Sequence, residues 1–434
     1  MFSAVFGTGA RPERIEFLHK VKKELSDELE FVVFNTSGVV EADFPVINAT
    51  MGFNPQHADP LVALEDLLVK HCPERVELLI DHARGELGRT GQVFERNIRK
   101  HVRLIQTFLR ALDEHQPCYV YLWNQFNALH RTFEAILLER GIKMGFFHDG
   151  VLPGTIAIDV DAEMGEGWIA RDPERFMSVR VSEGDISRAE RYLHSLEGVE
   201  NNRHPQDEHI SVVDALALAK LDDRPLIFYA GQNDWHAGIM PDSPAREYHS
   251  PVFEGSIDAL FALDNMAGEL GVSILFKPHP LSRDKFAFLR ACEFPNTLIL
   301  QNTSINVCLD QADVVATIAS QACYVALQEN KAVAMLGRNQ VTGKGLTYDV
   351  TSRETLAETI EEALRDPLKS SRRREFAVHC AQLERAYLFD YGTTENDFYR
   401  RGAAHVAQLM ELSVNESVED VINSLVTGDM LENV

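Results

Sequence analysis

Four short stretches of the chain place ionisable or hydrogen-bonding side chains directly after an apolar run. They are HDG at 148–150 with Asp149, GQND at 231–234 with Gln232 and Asp234, KPHP at 277–280 with Lys277 and His279, and IASQ at 318–321 with Ser320 and Gln321. Their position matters because ligands of doubly wound sheets settle beyond the carboxyl ends of the strands. KPHP sets an ammonium and an imidazole two residues apart, with a proline on each side of the histidine. Such a rigid pair suits a phosphate, whose growing charge on departure a prepositioned cation neutralises. A rigid turn in which His279 caps a neighbouring carbonyl uses the same residues. Ser320 offers a hydroxyl at the start of a helix expected from about Gln321, where backbone N–H groups make an anion seat, and a plain helix cap is the alternative. Asp149 and Asp234 each end an expected strand, in different halves of the chain. If the halves face each other, two carboxylates suit nucleophilic plus acid–base work on a glycosyl centre. Taken singly, each also fits a turn or a cap.

The elements that must position these residues follow from the alternation of short apolar runs with amphipathic helical stretches, the pattern of parallel sheets covered by helices on both faces. The fold class is α/β. In the first half FSAVF leads through GTGARP into the helix PERIEFLHKVKKEL and the strand EFVVFNTSG, a βαβ unit. After a long helical stretch come the strand CYVYLWN, a helix over 128–140, and the strand and turn KMGFFHDG. The second half supplies the strands PLIFYAG, VSILFKPHP, NTLILQ, DVVATIAS and AVAMLG, with helices at 256–270 and 321–328 between them. From Arg353 onward helical periodicity dominates, and from about Ser413 the acidic, weakly patterned tail reads as a frayed helix or the beginning of something longer. The polar, proline-broken stretch from Gly198 to Pro225 reads as a linker. The expected division is therefore a Rossmann-like domain over 1–200, a linker over 201–222, a second Rossmann-like domain over 223–370, and a helical segment over 371–434 able to pack back on the first domain.

Composition removes several classes of function. A length of 434 residues suits two domains. With 66 acidic against 42 basic residues, the net charge of -24 opposes binding to nucleic acid or anionic lipid. The six cysteines are scattered without a CxxC pair, and no histidine–carboxylate set has metal-ligand spacing, so reduced thiols and no metal are expected. The N-terminus lacks a signal-peptide pattern and no run is apolar enough to span a bilayer, which points to the cytoplasm and leaves the sequons at Asn48, Asn302 and Asn415 idle. GRNQVTGKG at 337–345 has one residue too many before GK for a P-loop and Gly345 where Ser or Thr would bind magnesium. GTGARP lacks the third glycine of a dinucleotide fingerprint, and Arg372, Arg373 and Arg374 read as a solvated helix face.

Taken in order, the motifs resemble those of bacterial capsule-lipid β-Kdo glycosyltransferases and of the related β-Kdo transferase domain of certain O-antigen enzymes. HDG stands where the family has an EDG-like turn, and GQND where it has a Q-x-ND-like or QxxD-like turn. KPHP matches its K-x-HP, ASQACYVAL at 319–327 its TSQxGFEAL, and GKGLTYD at 343–349 its G-x-GLT-D loop. The resemblance covers most of 147–349, and the first hundred residues add nothing to it. It implies a GT-B-like fold, with two Rossmann-type domains facing across a cleft, the first on the acceptor side and the second binding the donor. It further implies CMP-β-Kdo as donor, retention of anomeric configuration, and no cofactor. On this analogy Asp234 is the nucleophile that forms a covalent Kdo adduct, and Asp149 is a base or electrostatic partner near the acceptor hydroxyl. His279 and Lys277 hold the departing CMP phosphate, with Gln232, Ser320 and Gln321 at the donor site. Departures from the pattern are Val325 for the Glu of GFEAL, His148 for the Glu of EDG, and Lys344 for a common Trp. Lys344 is a candidate for the Kdo carboxylate, and the departures favour the O-antigen type.

The implied partners are a glycan or glycolipid acceptor at the inner face of the cytoplasmic membrane, and polysaccharide-assembly proteins. Three other functions fit parts of the same pattern. A CMP-sialic acid-dependent sialyltransferase keeps the CMP leaving group but normally inverts configuration, a UDP-sugar epimerase needs no acceptor, and a non-catalytic polysaccharide-assembly subunit has no use for two acids and a phosphate site.

Overall fold

The apolar runs become the strands of two parallel sheets. A computed structural model of the chain describes residues 2–6, 12–36, 39, 41–49, 59–88, 91–197, 199, 211–239, 243, 245–280, 289, 292–301, 303–392 and 396–428. The chain divides into a first unit, Met1–Glu163 with Gln382–Val434, and a second, Met164–Ala381.

In the first unit the described strands are β1 (Phe2–Phe6), β2 (Phe31–Asn35), β3 (Val46–Asn48), β4 (Tyr119–Trp123), β5 (Lys143–Asp149) and β6 (Thr155–Asp159). The second unit carries β7 (Leu226–Ala230), β8 (Ser273–Lys277), β9 (Thr297–Ile299), β10 (Val314–Thr317), β11 (Ala332–Met335) and β12 (Tyr348–Asp349), and the chain then returns to the first unit for β13 (Leu388–Asp390). The first sheet runs β13-β6-β5-β4-β1-β2-β3 and the second β12-β11-β10-β7-β8-β9. Every pair in the second sheet is parallel. In the first sheet β6 alone runs against the other strands, so its pairs with β5 and β13 are antiparallel. Both sheets thus start in the middle, grow to one side, and restart on the other, which creates a point of strand-order reversal between β1 and β4 and another between β7 and β10.

Local sequence explains these elements. All five residues of YVYLW, LIFYA and SILFK are buried, the continuous apolar run that a strand covered on both faces requires. The 25-residue helix Gly91–His115 buries Phe94, Ile98, Val102, Ile105, Phe108 and Leu112, a stripe at helical spacing. Phe108 stacks on Phe133 at 4.0 Å between ring centroids. Asp59, Asn127 and Ser182 cap the helices that follow them, Ser182 through a reciprocal capping box with Asp185.

Several expectations are corrected here. Residues 164–197 belong to the second unit, because the helix Glu183–Leu196 is tied to it: Gln328 Nε2 donates to Leu196 O at 2.7 Å, and Arg374 pairs with Glu183 at 2.9 Å. The supposed linker lies inside that unit and contains the helix Val212–Ala219, capped by Ser211; residues 200–210 lie outside the described residues. A polar surface loop and an inter-domain linker have the same composition, so composition could not separate them. The helical tail is interrupted by β13, which joins the first sheet beside β6, and the stretch beyond Ser413 contains the helix Val418–Thr427, capped by Ser417 with Val421, Ile422 and Leu425 buried. Arg372 is not on a solvated face. Its buried guanidinium pairs with Asp366 and donates to Asn330 O at 3.0 Å, whereas Arg373 and Arg374 are exposed. None of the six cysteines forms a disulfide, and four of them are buried. No described helix is long and apolar enough to cross a membrane.

Candidate functional site

Three of the four motifs converge on the carboxyl edge of the second sheet, because β10, β7 and β8 are neighbours and parallel. Gly231 allows their exits to close up. Its N–H donates to Lys277 O at 2.9 Å, and a Cβ there would lie 2.9 Å from that carbonyl and 3.0 Å from the Phe276 ring. Only glycine lets GQND and KPHP run this close. On the other side Gln232 Oε1 accepts from Ala319 N at 2.8 Å, and Thr317 Oγ1 donates to Ala230 O at 3.0 Å. Gln232 thereby spans the point where the strand order reverses.

Asp234 opens a short 3-10 turn after β7, and its carboxylate reaches the start of the helix Ser256–Leu270. Oδ2 accepts from Ser256 N at 2.9 Å and Oδ1 from Ser256 Oγ at 2.6 Å. An anion at this end of a 15-residue helix is favoured by the helix dipole. Ser256 is wholly buried, its carbonyl accepts from Tyr229 Oη at 3.1 Å, and a Cβ on Gly255 would stand 2.8 Å from Asp234 Oδ2. The acid at the strand end is therefore held in one orientation by a serine that sequence reasoning did not identify.

The other donor-side residues differ in exposure and ties. Lys277 is buried and His279 half-buried, at the exit of β8. Ser320 Oγ accepts from Ala322 N at 3.2 Å, at the first residue of the seven-residue helix Ala322–Gln328, whose N-cap position is Gln321. Lys344 Nζ donates to Ile169 O at 2.9 Å and Thr342 O at 3.3 Å, and lies 5.2 Å from the Phe176 ring. Burial pushes its ammonium down to about 7 against the opposing pull of Asp349. Among the described residues no group of three or more His, Cys, Asp or Glu is arranged to hold a metal ion.

The first unit carries the fourth motif. Asp149 ends β5, and Arg14 Nη2 donates to both of its carboxylate oxygens, at 3.1 and 3.2 Å. The guanidinium lies 3.8 Å over the Trp123 ring at the end of β4. Tyr391 Oη, from the returning chain, approaches Asp149 Oδ1 at 3.5 Å. His148 Nε2 sits 2.8 Å from both Asp159 Oδ2 and Tyr387 Oη, and Nδ1 lies 3.1 Å from Asp149 O. Burial opposes the charge of this imidazole, but the Glu163 and Asp159 carboxylates outweigh it and raise its pKa to about 9. Burial raises the neighbouring carboxyls as well, Glu163 to about 8 and Asp159 above its ordinary value. Arg14 was legible only as a basic residue after the first turn, and Tyr391 and Tyr387 gave no signal at all.

The chain thus carries two Rossmann-type α/β units, each with polar side chains at the carboxyl edge of a parallel sheet. It resembles the family described as capsule polysaccharide biosynthesis protein, whose profile matches residues 248–384. That stretch contains KPHP, ASQACYVAL and GKGLTYD. No curated protein matches the chain. Among solved structures, it is similar to the beta Kdo 2,7 transferase of KpsC from Thermosulfurimonas dismutans, at 17% identity over 72% of this chain and 90% of that chain, TM-score 0.43. It is similar also to the beta Kdo 2,4 transferase of the same KpsC, at 14% identity over 61% and 79%, TM-score 0.39. A UDP-GlcNAc 2-epimerase from Neisseria meningitidis follows at 12% identity over 88% and 97%, TM-score 0.37. At these values no activity transfers from the solved structures.

Proposed function

We propose that the protein is a glycosyltransferase of bacterial surface-polysaccharide assembly, moving Kdo from CMP-β-Kdo to a glycan or glycolipid acceptor with retention of configuration. The observation that supports this best is the gathering of Gln232, Asp234, Lys277 and His279 at one sheet edge, in a chain whose 248–384 stretch matches a capsule biosynthesis family. An Asp234 oxygen attacks the anomeric carbon of Kdo as the bond to CMP breaks, and the departing phosphate keeps the electron pair. Ser256 donates to both Asp234 oxygens and so fixes the orientation of the attacking carboxylate. Lys277 and His279 neutralise the departing phosphate. An acceptor hydroxyl then displaces Asp234 from the anomeric carbon and passes its proton to Asp149, and the two inversions give net retention. Arg14 donates to both Asp149 oxygens and so orients the carboxylate proposed to take this proton. The reaction takes place on the cytoplasmic side of the membrane.

Intact-protein mass spectrometry of wild type and Asp234→Ala mixed with fresh CMP-Kdo, with CMP release followed in the same tubes, tests this. The expected result is a Kdo adduct on wild type that is absent from the variant. CMP release without an adduct removes the covalent step, and the absence of both removes CMP-Kdo as donor.

A further inference from the structure

The edge of the second sheet holds two amide side chains whose hydrogen-bonding capacity the protein leaves unused. Gln232 is 4% exposed and Asn233 8%. Gln232 Nε2 and Asn233 Oδ1 are both buried and meet no partner among the described residues. Buried polar atoms are nearly always paired, and an unpaired one lowers stability, so a donor and an acceptor left open on consecutive residues call for a cause. The orientation of Gln232 is set by the chain itself: Oε1 accepts from Ala319 N, so the amide nitrogen is the end left over. Asn233 precedes the 3-10 turn and makes no side-chain cap bond to it.

Placement is the second observation. Both amides leave β7, the strand flanked by β10 and β8 where the order of the second sheet reverses, which is where parallel α/β sheets take their ligands. Lys277, buried at 4%, ends the adjacent β8, so the same edge carries a buried ammonium. A ligand that completes this edge brings a negatively charged acceptor for Gln232 Nε2 and a hydroxyl for Asn233 Oδ1.

We propose that Gln232 and Asn233 form an amide pair that reads an anionic oxygen next to a hydroxyl, chemistry shared by a nucleoside monophosphate and an acidic sugar. The proposal deepens the CMP-Kdo function above and rests on it for the choice of probes. Titration calorimetry of the full chain at pH 8 with CMP, free Kdo and inorganic phosphate tests it. Gln232→Glu keeps an oxygen for Ala319 N and replaces only the donor; Gln232→Met is the uncharged second variant should the new buried carboxylate impair folding. Both are expected to weaken the bound probe at least tenfold. Asn233→Ala is expected to weaken CMP or Kdo by a similar factor and to leave phosphate unchanged, and the probe affected identifies whether nucleotide or sugar is read. Folded Gln232→Met and Asn233→Ala variants that bind as wild type does would overturn the amide pair and leave the CMP-Kdo function standing. Wild type that binds none of the three probes would overturn both.

Discussion

The two units arrange their central strands in the same order and finish the carboxyl edge in opposite ways. In the first, the acid at the strand end is answered: Arg14 bridges both oxygens of Asp149 and lies on Trp123. In the second, Asp234 is positioned by Ser256 while the amides beside it stay open. A carboxylate closed by an arginine is held in one orientation, and unfilled hydrogen-bonding capacity is a demand for a ligand. One fold therefore supplies both a finished electrostatic surface and an unfinished binding edge, and the choice is made by a handful of residues after each strand.

The largest effect should come from the acid itself. Asp234→Asn keeps an oxygen for Ser256 N and should still lose transfer by about 1,000-fold or more in kcat. Near-normal turnover would reduce the carboxylate to a helix cap and erase the contrast between the units. The closed pair is tested next. Arg14→Leu leaves a carboxylate that is only about a quarter exposed, and urea denaturation should show a loss of about 2–3 kcal/mol. Adding Asp149→Leu should recover much of it. Arg372→Ala in the second unit should cost a similar amount because it strands Asp366, while Arg373→Ala and Arg374→Ala leave the midpoint where it was.

Protonation sharpens the comparison from another side. Burial lowers His101 to about 3 and His130 to about 4. Both folded values lie below the ordinary 6.5, so the unfolded chain binds protons first. Stability is complete above that pH and is lost as pH falls toward 4, by about 2 kcal/mol per histidine at pH 5. His148 works the other way. Raised to about 9, its contribution is complete below 6.5 and disappears as pH rises through 9. Glu163, raised by burial to about 8, opposes the acid-side loss because its folded form gives up stability as pH rises from 4.5 through 8, and His148→Gln should flatten the fall of the denaturant midpoint between pH 7.5 and 9.5. In the second unit His379 adds to the acid side, since burial holds its imidazole well below the ordinary value. The smallest expected effect is that of Ser256→Ala, about tenfold in kcat at unchanged KM and restored by Ser256→Thr. An unchanged kcat would mean that Asp234 needs no holding.

What could be read from the sequence follows the range of the forces involved. Apolar runs report burial locally, so the central strands and the polar residues after them were visible, as was the α/β class. The short-range contact of Ser320 was within reach too, because Ala322, whose N–H its hydroxyl accepts, lies two residues away. The partners of Asp149 and Asp234 were not visible: Arg14 stands 135 residues from the first and Ser256 22 from the second, and nothing local marks either. Strands β6 and β13 were missed because they pair antiparallel at the sheet edge, one directly after a turn and one inside a helical stretch, where no crossover pattern announces them.

The first unit is assembled from both ends of the sequence, since β13 and the helix Ala403–Asn415 complete the sheet and cover that begin with residue 2. During synthesis the second unit has all its residues in hand once Ala381 leaves the ribosome, while the first must wait for the last strand and helix of the chain. Until then β6 presents an unpaired edge, the kind of surface on which nascent chains aggregate. Premature stop codons after residue 381 should therefore yield a folded second unit attached to a first unit that captures chaperones.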